Sequence, residues 1–307
     1  MCDILKIKEI PKSLVIIGGG VVGCEFASVF AGFNTKVTIL EYSNSILPMS
    51  DQDCRRALTN IFKKKNITIE TESSATNIIE NEDFVSLSYS QGNQNFDIKS
   101  DYCLIATGRE ANMEVFSSSI SKNILDNLIS HNLFSINKYM QTKIPGLYAI
   151  GDCVKTPWLA HVASSEGVIA AESIAKVPNI NLINYEKIPM CVYTSPSIAW
   201  CGLTEEKVNI SEKYTKISKF PLVKSGKASI MLANDGFIKC ITDKETNEIL
   251  GFHIMGKNAT ELIAEPSFAM QFEATIEEIG ATMHAHPTLY ESIYEAALIA
   301  LGKPLHG

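Results

Sequence analysis

Residues 14–41, LVIIGGGVVGCEFASVFAGFNTKVTILE, constrain the fold of this chain more than any other stretch. Leu14 to Ile17 is a short apolar run of the kind that forms a parallel strand buried on both faces. Gly18, Gly20 and Gly23 follow as GxGxxG, Val21 to Ala31 reads as a helix, and Lys36 to Leu40 reads as a second strand ending at Glu41. In such a strand–helix–strand unit the first glycine permits the tight turn. The second leaves room for a pyrophosphate, and the third lets helix and strand pack closely. The turn at Gly19 and the first helical residues, Val21 and Val22, present free N–H groups and the positive end of the helix dipole to a phosphate. Glu41 stands where an acid accepts hydrogen bonds from an adenosine ribose.

A glycine-rich turn can exist without a ligand, but here the strand, the helix, the second strand and the acid are all in place. Dinucleotide binding is therefore expected. No arginine follows Glu41 in EYSNSILP, so a 2′-phosphate would meet a carboxylate and no cation, and NAD is favoured over NADP. Glu25, on the first turn of the helix, has two readings: it faces the cofactor, or it is simply well placed near a positive helix end.

The elements continue regularly. Ser50 is expected to cap a helix with Asp51 and Asp53 in its first turn, and Lys63, Lys64 and Lys65 close it at Asn66. Strands are expected around residues 67–71, 84–89 and 96–98, with SQGNQN as a turn, and again over Tyr102 to Ala106 before Gly108. The opening residues, MCDILKIKEIPKSL, alternate as if leading into a strand and lack the apolar core of a secretory signal.

Composition narrows the function classes. The 307 residues have room for about two domains. A formal charge of −7 argues against nucleic acid or an anionic membrane as partner. No apolar run approaches the roughly 18 residues of a membrane span. The eight cysteines, at 2, 24, 54, 103, 153, 191, 201 and 240, are scattered. That spacing excludes CxxC zinc and thioredoxin-type motifs and suits a reducing, intracellular setting in which most thiols are core residues.

In the middle of the chain, Leu147 to Ile150 reads as an apolar strand and GDC as a sharp turn, which puts Asp152 at a strand end. Open α/β sheets bind ligands at such ends, yet pattern alone allows Asp152 to be only a turn residue. A long small-residue helix is expected from Leu159 to Ala175.

From about residue 184 the pattern becomes α+β. FIKCITDKETNEILGFHIMG reads as a hairpin, and NATELIAEPSFAMQFEA has apolar residues at helical spacing. HAHPTLYE contains His286 and Glu291. Thr288 and Glu291 have the T-x-x-E spacing of a capping box ahead of SIYEAALIAL, in which case His286 is a loop residue. The other reading is chemical. An imidazole is a suitable base near neutrality, a carboxylate on its second nitrogen fixes the tautomer, and the proton would come from a thiol.

GGGVVGCE, LIATGRE, MQTKIPGLYAIGDC, LAHVASSEG, VYTSPSIAWCGLTEEKV, ETNEILGFHIMG and HAHPTLYE occur here in one order. Together they resemble the dihydrolipoamide dehydrogenases, class I pyridine nucleotide-disulfide oxidoreductases that serve 2-oxo-acid dehydrogenase and glycine-cleavage complexes. The resemblance implies an α/β fold: a Rossmann-like NAD domain (1–110), a flavin-contacting segment (111–183) and an α+β dimerisation domain (184–307). It puts Gly18, Gly19, Gly20, Val21, Val22, Gly23, Glu25, Glu41 and Gly108 on NAD. Asp152 falls on the FAD ribityl chain, and Leu159, Ala160 and His161 fall at the flavin. It makes His286 the base, with Glu291 as its orienting partner, while His284 lacks the match and is expected to be structural. It further implies a homodimer, a lipoyl domain as partner, and a cytoplasmic location, or the mitochondrial matrix in a eukaryote.

The departures are as informative. The family's members begin with an FAD domain that carries its own GxGxxG and a CxxxxC redox disulfide, and this chain has neither. It looks like the C-terminal portion of such an enzyme, expected to bind NAD and dimerise but not to turn over dihydrolipoamide alone. Two rivals stand beside this reading. Glutathione reductase shares the His-Pro-Thr signature but prefers NADP. The second rival is a non-catalytic module that only binds NAD and dimerises.

Overall fold

A computed structural model describes residues 4–117, 128–210 and 214–306, to which every structural statement below refers. The apolar run at the start of the chain becomes β1 (Ser13–Ile17), followed by α1 (Val21–Gly32) and β2 (Lys36–Leu40). β1 and β2 pair in parallel from Ser13 opposite Lys36 to Ile17 opposite Leu40. α2 (Gln52–Lys64) leads to β3 (Thr68–Glu70), which joins the other side of β2. An antiparallel excursion, β4 (Ser73–Glu80), β5 (Val85–Gln91) and β6 (Gln94–Ser100), precedes β7 (Tyr102–Ile105), which returns to pair in parallel with β1. The parallel sheet therefore has the order β3-β2-β1-β7. Leu14, Ile16, Cys24, Phe30, Leu58 and Phe62 pack together as its core.

Residues 109–188 form a separate compact unit. It contains α3 (Glu114–Ser117), a short pairing of β8 (Ile129–Ser130) with β9 (Leu133–Phe134), and α4 (Ala160–Ile174). The strand expected over Leu147 to Ile150 does not form. Tyr148 makes only an isolated bridge to Gln141, and the Ala149 and Leu147 N–H groups donate locally to Met140 and Ile144. Gly151–Cys153 is a 3₁₀ turn, so Asp152 lies in a turn without the strand that was expected to carry it.

The remaining residues fold with the first segment into one unit, 1–108 with 189–307. The elements are β10 (Met190–Val192), β11 (Ser197–Gly202), α5 (Glu205–Ile210), β12 (Thr215–Pro221), α6 (Gly226–Ile230), β13 (Phe237–Asp243) and β14 (Ile249–Gly256). Then come α7 (Ala259–Leu262), α8 (Ala264–Gln271), α9 (Ile276–Ala281) and α10 (Glu291–Ala300). The antiparallel sheet runs β10-β11-β14-β13-β12, with the expected hairpin β13–β14 inside it and every residue of β14 buried. On α10, Ile293, Ala296 and Ala297 are fully buried in the core of this sheet.

The fold is thus α/β, with a Rossmann-like parallel sheet followed by an α+β sheet. Three local expectations need correction. Asp51, not Ser50, caps α2, because its carboxylate accepts the Asp53 N–H, while the Ser50 hydroxyl turns back to the Leu47 carbonyl. The opening residues form a 3₁₀ turn at Ile4–Lys6, and the strand begins only at Ser13. The apolar repeat after residue 258 splits into α7 and α8, since Pro266 has no N–H to give the Leu262 carbonyl.

Candidate functional site

The glycine turn after β1 is built by close approach. Gly18 has φ +105°, and a Cβ there would lie 2.5 Å from the Ala106 carbonyl oxygen. A Cβ on Gly23 would lie 1.9 Å from the Gly18 oxygen, so α1 sits against the turn as closely as backbone allows. Gly20 is different, because nothing lies within 4 Å of its Cβ position. The open space is next to the N-terminus of α1, where no side chain caps the amides of the first turn, which include Val21, Val22 and Gly23. Two glycines serve packing, and one keeps a face clear.

Glu41, at the end of β2, is buried and held from two sides. One carboxylate oxygen accepts the Gly19 N–H at 2.6 Å and the other accepts the Ser43 N–H at 2.7 Å. The Gly19 carbonyl in turn accepts the Leu47 N–H at 2.8 Å. Each oxygen of Glu41 keeps a further lone pair for a hydroxyl. A pyrophosphate beside Gly20 and a ribose beside Glu41 both fit these groups. Gly108, with φ +132°, follows β7 in open space.

Glu25 is partly buried and engaged. Its Oε1 accepts the Tyr193 N–H at 2.9 Å, and Ser28 Oγ accepts the Ser195 N–H at 2.9 Å, so α1 is tied to the loop between β10 and β11. Burial pushes the Glu25 carboxyl up, with the Tyr193 N–H opposing.

In the 109–188 unit, Asp152 pairs with Arg109 at 3.2 Å, and Arg109 also donates to the Trp158 carbonyl at 2.8 Å. Leu159 is the N-cap residue of α4 and offers no side-chain cap, and Ala160 and His161 are exposed on its first turn. Glu166, fully buried, accepts the Gly151 N–H at 2.7 Å and the Tyr185 hydroxyl at 3.0 Å, fixing the turn that carries Asp152. Arg109 and Glu166 were not anticipated from the sequence, because neither partner lies at a helical or strand spacing from it.

The C-terminal pair is assembled as the residues suggested. His286 Nδ1 lies 2.8 Å from Glu291 Oε1, and Glu291 Oε2 accepts the Thr288 N–H at 2.7 Å. Glu291 thus contacts the His286 ring with one oxygen and, with the other, makes half of a capping-box contact. The reciprocal half is missing: α10 starts at Glu291 itself, and the Thr288 hydroxyl donates to Ala285 O instead. Burial would raise the Glu291 carboxyl, but the Thr288 N–H and His286 outweigh it and hold the group below its usual range. The His286 ring is 81% exposed and opens on a cavity of about 640 Å³ that His284, Glu291, Lys224, Tyr294 and His306 also line.

The other two histidines of that cavity differ from each other. His284 is buried between Glu265 Oε1 at 2.8 Å and the Thr282 carbonyl at 2.9 Å, the structural placement expected of it. His306 Nδ1 meets Glu295 Oε1 at 2.7 Å, a second exposed histidine held by a carboxylate, here a buried one. KPLHG contains no motif that announces it.

Comparison with known proteins decides the family. Residues 1–167 match the family model described as pyridine nucleotide-disulphide oxidoreductase, and residues 188–297 match the dimerisation domain of the same family. The chain belongs to the pyridine nucleotide-disulphide oxidoreductase family. The cofactors of that family are FAD and NAD(P). A dihydrolipoyl dehydrogenase of Bacillus subtilis (strain 168) is 37% identical over 306 residues, covering 99% of this chain and 64% of the relative. The mitochondrial dihydrolipoyl dehydrogenase of Pisum sativum is 34% identical over 98% of this chain and 60% of its own length. Among solved structures, LpdA from Mycobacterium tuberculosis superposes with a TM-score of 0.86 at 24% identity, covering 95% of this chain and 62% of that one. The Cu(II) complex of the flavoprotein disulfide reductase RclA from Escherichia coli gives 0.88 at 24%, covering 97% and 66%, and both likenesses speak for the fold. The chain therefore spans less than two thirds of the length of these relatives. Among the described residues, no helix is long and apolar enough to cross a membrane.

Proposed function

We propose that this chain carries the dinucleotide-binding and dimer-forming parts of a dihydrolipoyl dehydrogenase-type oxidoreductase, acting on dihydrolipoamide with NAD. His286 is the base and Glu291 its orienting partner. The observation that carries this reading is the contact between His286 Nδ1 and the Glu291 carboxylate. An ionised carboxylate only accepts, so Nδ1 carries the hydrogen and the exposed Nε2 is left as the basic site. A thiol proton arriving at Nε2 leaves a thiolate, the form of sulfur that attacks a disulfide. The resulting imidazolium is stabilised by Glu291.

NAD is assigned to Gly18, Gly19, Gly20, Val21, Val22, Gly23 and Glu41, with Glu25 and Gly108 beside it. The clear face at Gly20 and the amides of the first turn of α1 support this. FAD, which as a bound group relays two electrons between thiols and nicotinamide, is assigned to Asp152, Leu159, Ala160 and His161. The uncapped start of α4 supports that assignment. The partners in this reading are a second copy of the chain and a lipoyl domain, in the cytoplasm or the mitochondrial matrix.

No two of the eight cysteines have the CxxxxC spacing, so the redox disulfide is not encoded in these residues. The chain by itself is therefore proposed to bind NAD and dimerise without turning over dihydrolipoamide. Calorimetric titration with NADH and NADPH, sedimentation, and a dihydrolipoamide:NAD assay on the purified chain test the parts separately. NADH binding and a dimer are expected; turnover by the chain alone would overturn the claim of inactivity, and absence of NADH binding would overturn the dinucleotide assignment.

A further inference from the structure

A buried lysine on the antiparallel sheet reaches the helix that follows the dinucleotide-side strand β2. Lys239, on β13, is fully buried, and its Nζ lies 2.7 Å from Asp51 Oδ1, 2.6 Å from Glu205 Oε2 and 3.2 Å from Asp53 Oδ2. Asp51 is equally buried and both its oxygens are engaged: it caps α2 through the Asp53 N–H at 3.0 Å and accepts the Glu205 N–H at 3.1 Å. A second cation works beside it. Arg55 forms an ion pair with Glu206 and donates to the Pro48 carbonyl at 3.0 Å. Both acids stand at the start of α5, so one end of that helix grips α2 through two cations.

What lies just ahead of Asp51 is the loop that closes on the glycine turn. The Ser50 N–H and hydroxyl both donate to the Leu47 carbonyl, at 2.9 and 3.0 Å, and the Leu47 N–H donates to the Gly19 carbonyl at 2.8 Å. Ile46 packs so close that a Cβ on Gly19 would come within 2.8 Å of its Cγ2. At its other end the same loop begins with Glu41, which accepts the Gly19 N–H. The path from Lys239 to Gly19 therefore runs through Asp51, Ser50 and Leu47 without a gap.

We infer that Lys239 is a positioning residue for the dinucleotide site: by holding Asp51 it fixes the 41–50 loop against Gly19, so the dimerisation half of the chain sets affinity for the dinucleotide. The inference rests on the dinucleotide assignment for its affinity claim, and on the hydrogen bonds above for its structural claim. In Lys239→Met, with or without Asp51→Asn, residue 51 loses its bond to β13, and in the single variant the unpaired carboxylate is in addition driven toward water. The loop that Asp51 terminates moves with it.

The test pairs Lys239→Met with the double variant Lys239→Met/Asp51→Asn, in which no unpaired buried carboxylate remains to prevent folding. Ile293→Val, a core change on α10, controls for general loss of stability. In the variants that lose Lys239, amide hydrogen exchange of residues 43–50 is expected to rise by about tenfold, and NADH affinity measured by fluorescence titration to weaken by about tenfold. The control lowers the melting temperature and changes neither. A folded double variant with unchanged exchange at residues 43–50 and unchanged NADH affinity overturns the inference. A wild-type chain that binds no NADH overturns the dinucleotide assignment instead, and the exchange measurement then decides the role of Lys239 alone.

Discussion

His286 and Glu291 share a hydrogen bond of 2.8 Å in which the imidazole donates through Nδ1 and leaves Nε2 on the exposed side of the ring. Long-range proton–nitrogen correlation spectra should show the Nδ1–H tautomer in the neutral ring. Glu291→Ala removes the acceptor, and the ring should revert to the Nε2–H form preferred by free imidazole. It also strips the Thr288 N–H of its partner, at a cost of about 1 kcal/mol in urea unfolding. Persistence of Nδ1–H in that variant would remove the orienting role of Glu291.

Two alanine substitutions three residues apart should behave oppositely. Gly23→Ala drives a methyl group into the Gly18 carbonyl and is expected to destabilise the chain by at least about 2 kcal/mol. Gly20 has an extended backbone that any residue adopts, with open space around it, so Gly20→Ala should change stability by less than about 0.5 kcal/mol. The same methyl occupies the face assigned to the pyrophosphate, and NADH affinity should fall by about tenfold. Equal effects of both variants on unfolding and on binding would contradict this division of labour.

Stability should depend on acid through Asp51 and Asp53. Burial raises both carboxyls. For Asp51, His253, Lys239 and the Glu205 N–H more than reverse it, and for Asp53, Lys219 and Lys239 do so, leaving both groups below the ordinary range. A depressed folded value means stability that is fully present above the unfolded pKa of ~3.9 and lost as pH falls through the folded values. Lys239 is shifted upward despite burial, by Asp51 and Glu205, so its contribution is present below the ordinary lysine value of ~10.4 and lost only as pH rises through its folded value. Urea midpoints measured between pH 2 and 7 should fall more steeply for the wild type than for Asp51→Asn. Parallel curves would show that the cluster contributes nothing in acid.

Six of the described thiols should be poor nucleophiles. Burial pushes Cys24, Cys54 and Cys240 far above the ordinary range, and pushes Cys103 up to about 11. Cys153 and Cys191, only half-buried, are raised as well, again by burial first. At pH 7 the thiolate fraction of Cys103 is on the order of 10⁻⁴. Ellman's reagent should label the last three slowly and the first three only after unfolding. Rapid labelling of any of these six in the folded chain would be a reason to look again for a redox cysteine among them.

The β1–α1–β2 unit was legible because its glycine spacing and its apolar run each have a single structural use. The β13–β14 hairpin was legible from alternation around a polar turn. Leu147 to Ile150 misled, since four apolar residues look alike whether their amides bond across a sheet or back to Met140 and Ile144. β4 was missed because SSATNIIE is largely polar and exposed. Ser50 and Asp51 are both capping residues side by side, and the sequence does not show that the Ser50 hydroxyl is spent on the Leu47 carbonyl while Asp51 caps the helix and binds Lys239. That lysine was invisible beforehand: Asp51 lies 188 residues away in sequence, and nothing local marks a buried cation. The Arg109–Asp152 and His306–Glu295 pairs escaped for the same reason, since each joins residues with no shared periodicity. His286 and Glu291 were legible as a pair, but the sequence left Glu291 divided between the ring and the helix start, and one oxygen contacts each.

Glu41 is pinned through both oxygens, to Gly19 on one side and Ser43 on the other. A carboxylate on a free side chain would swing away from an approaching phosphate and blunt the repulsion. This one has nowhere to go without breaking the turn that shapes the site. A dinucleotide bearing a 2′-phosphate therefore meets a charge that does not yield. Under the proposed NAD assignment, the same acid then has two uses: its free lone pairs accept from the ribose hydroxyls, and its stiffness disfavours a 2′-phosphate.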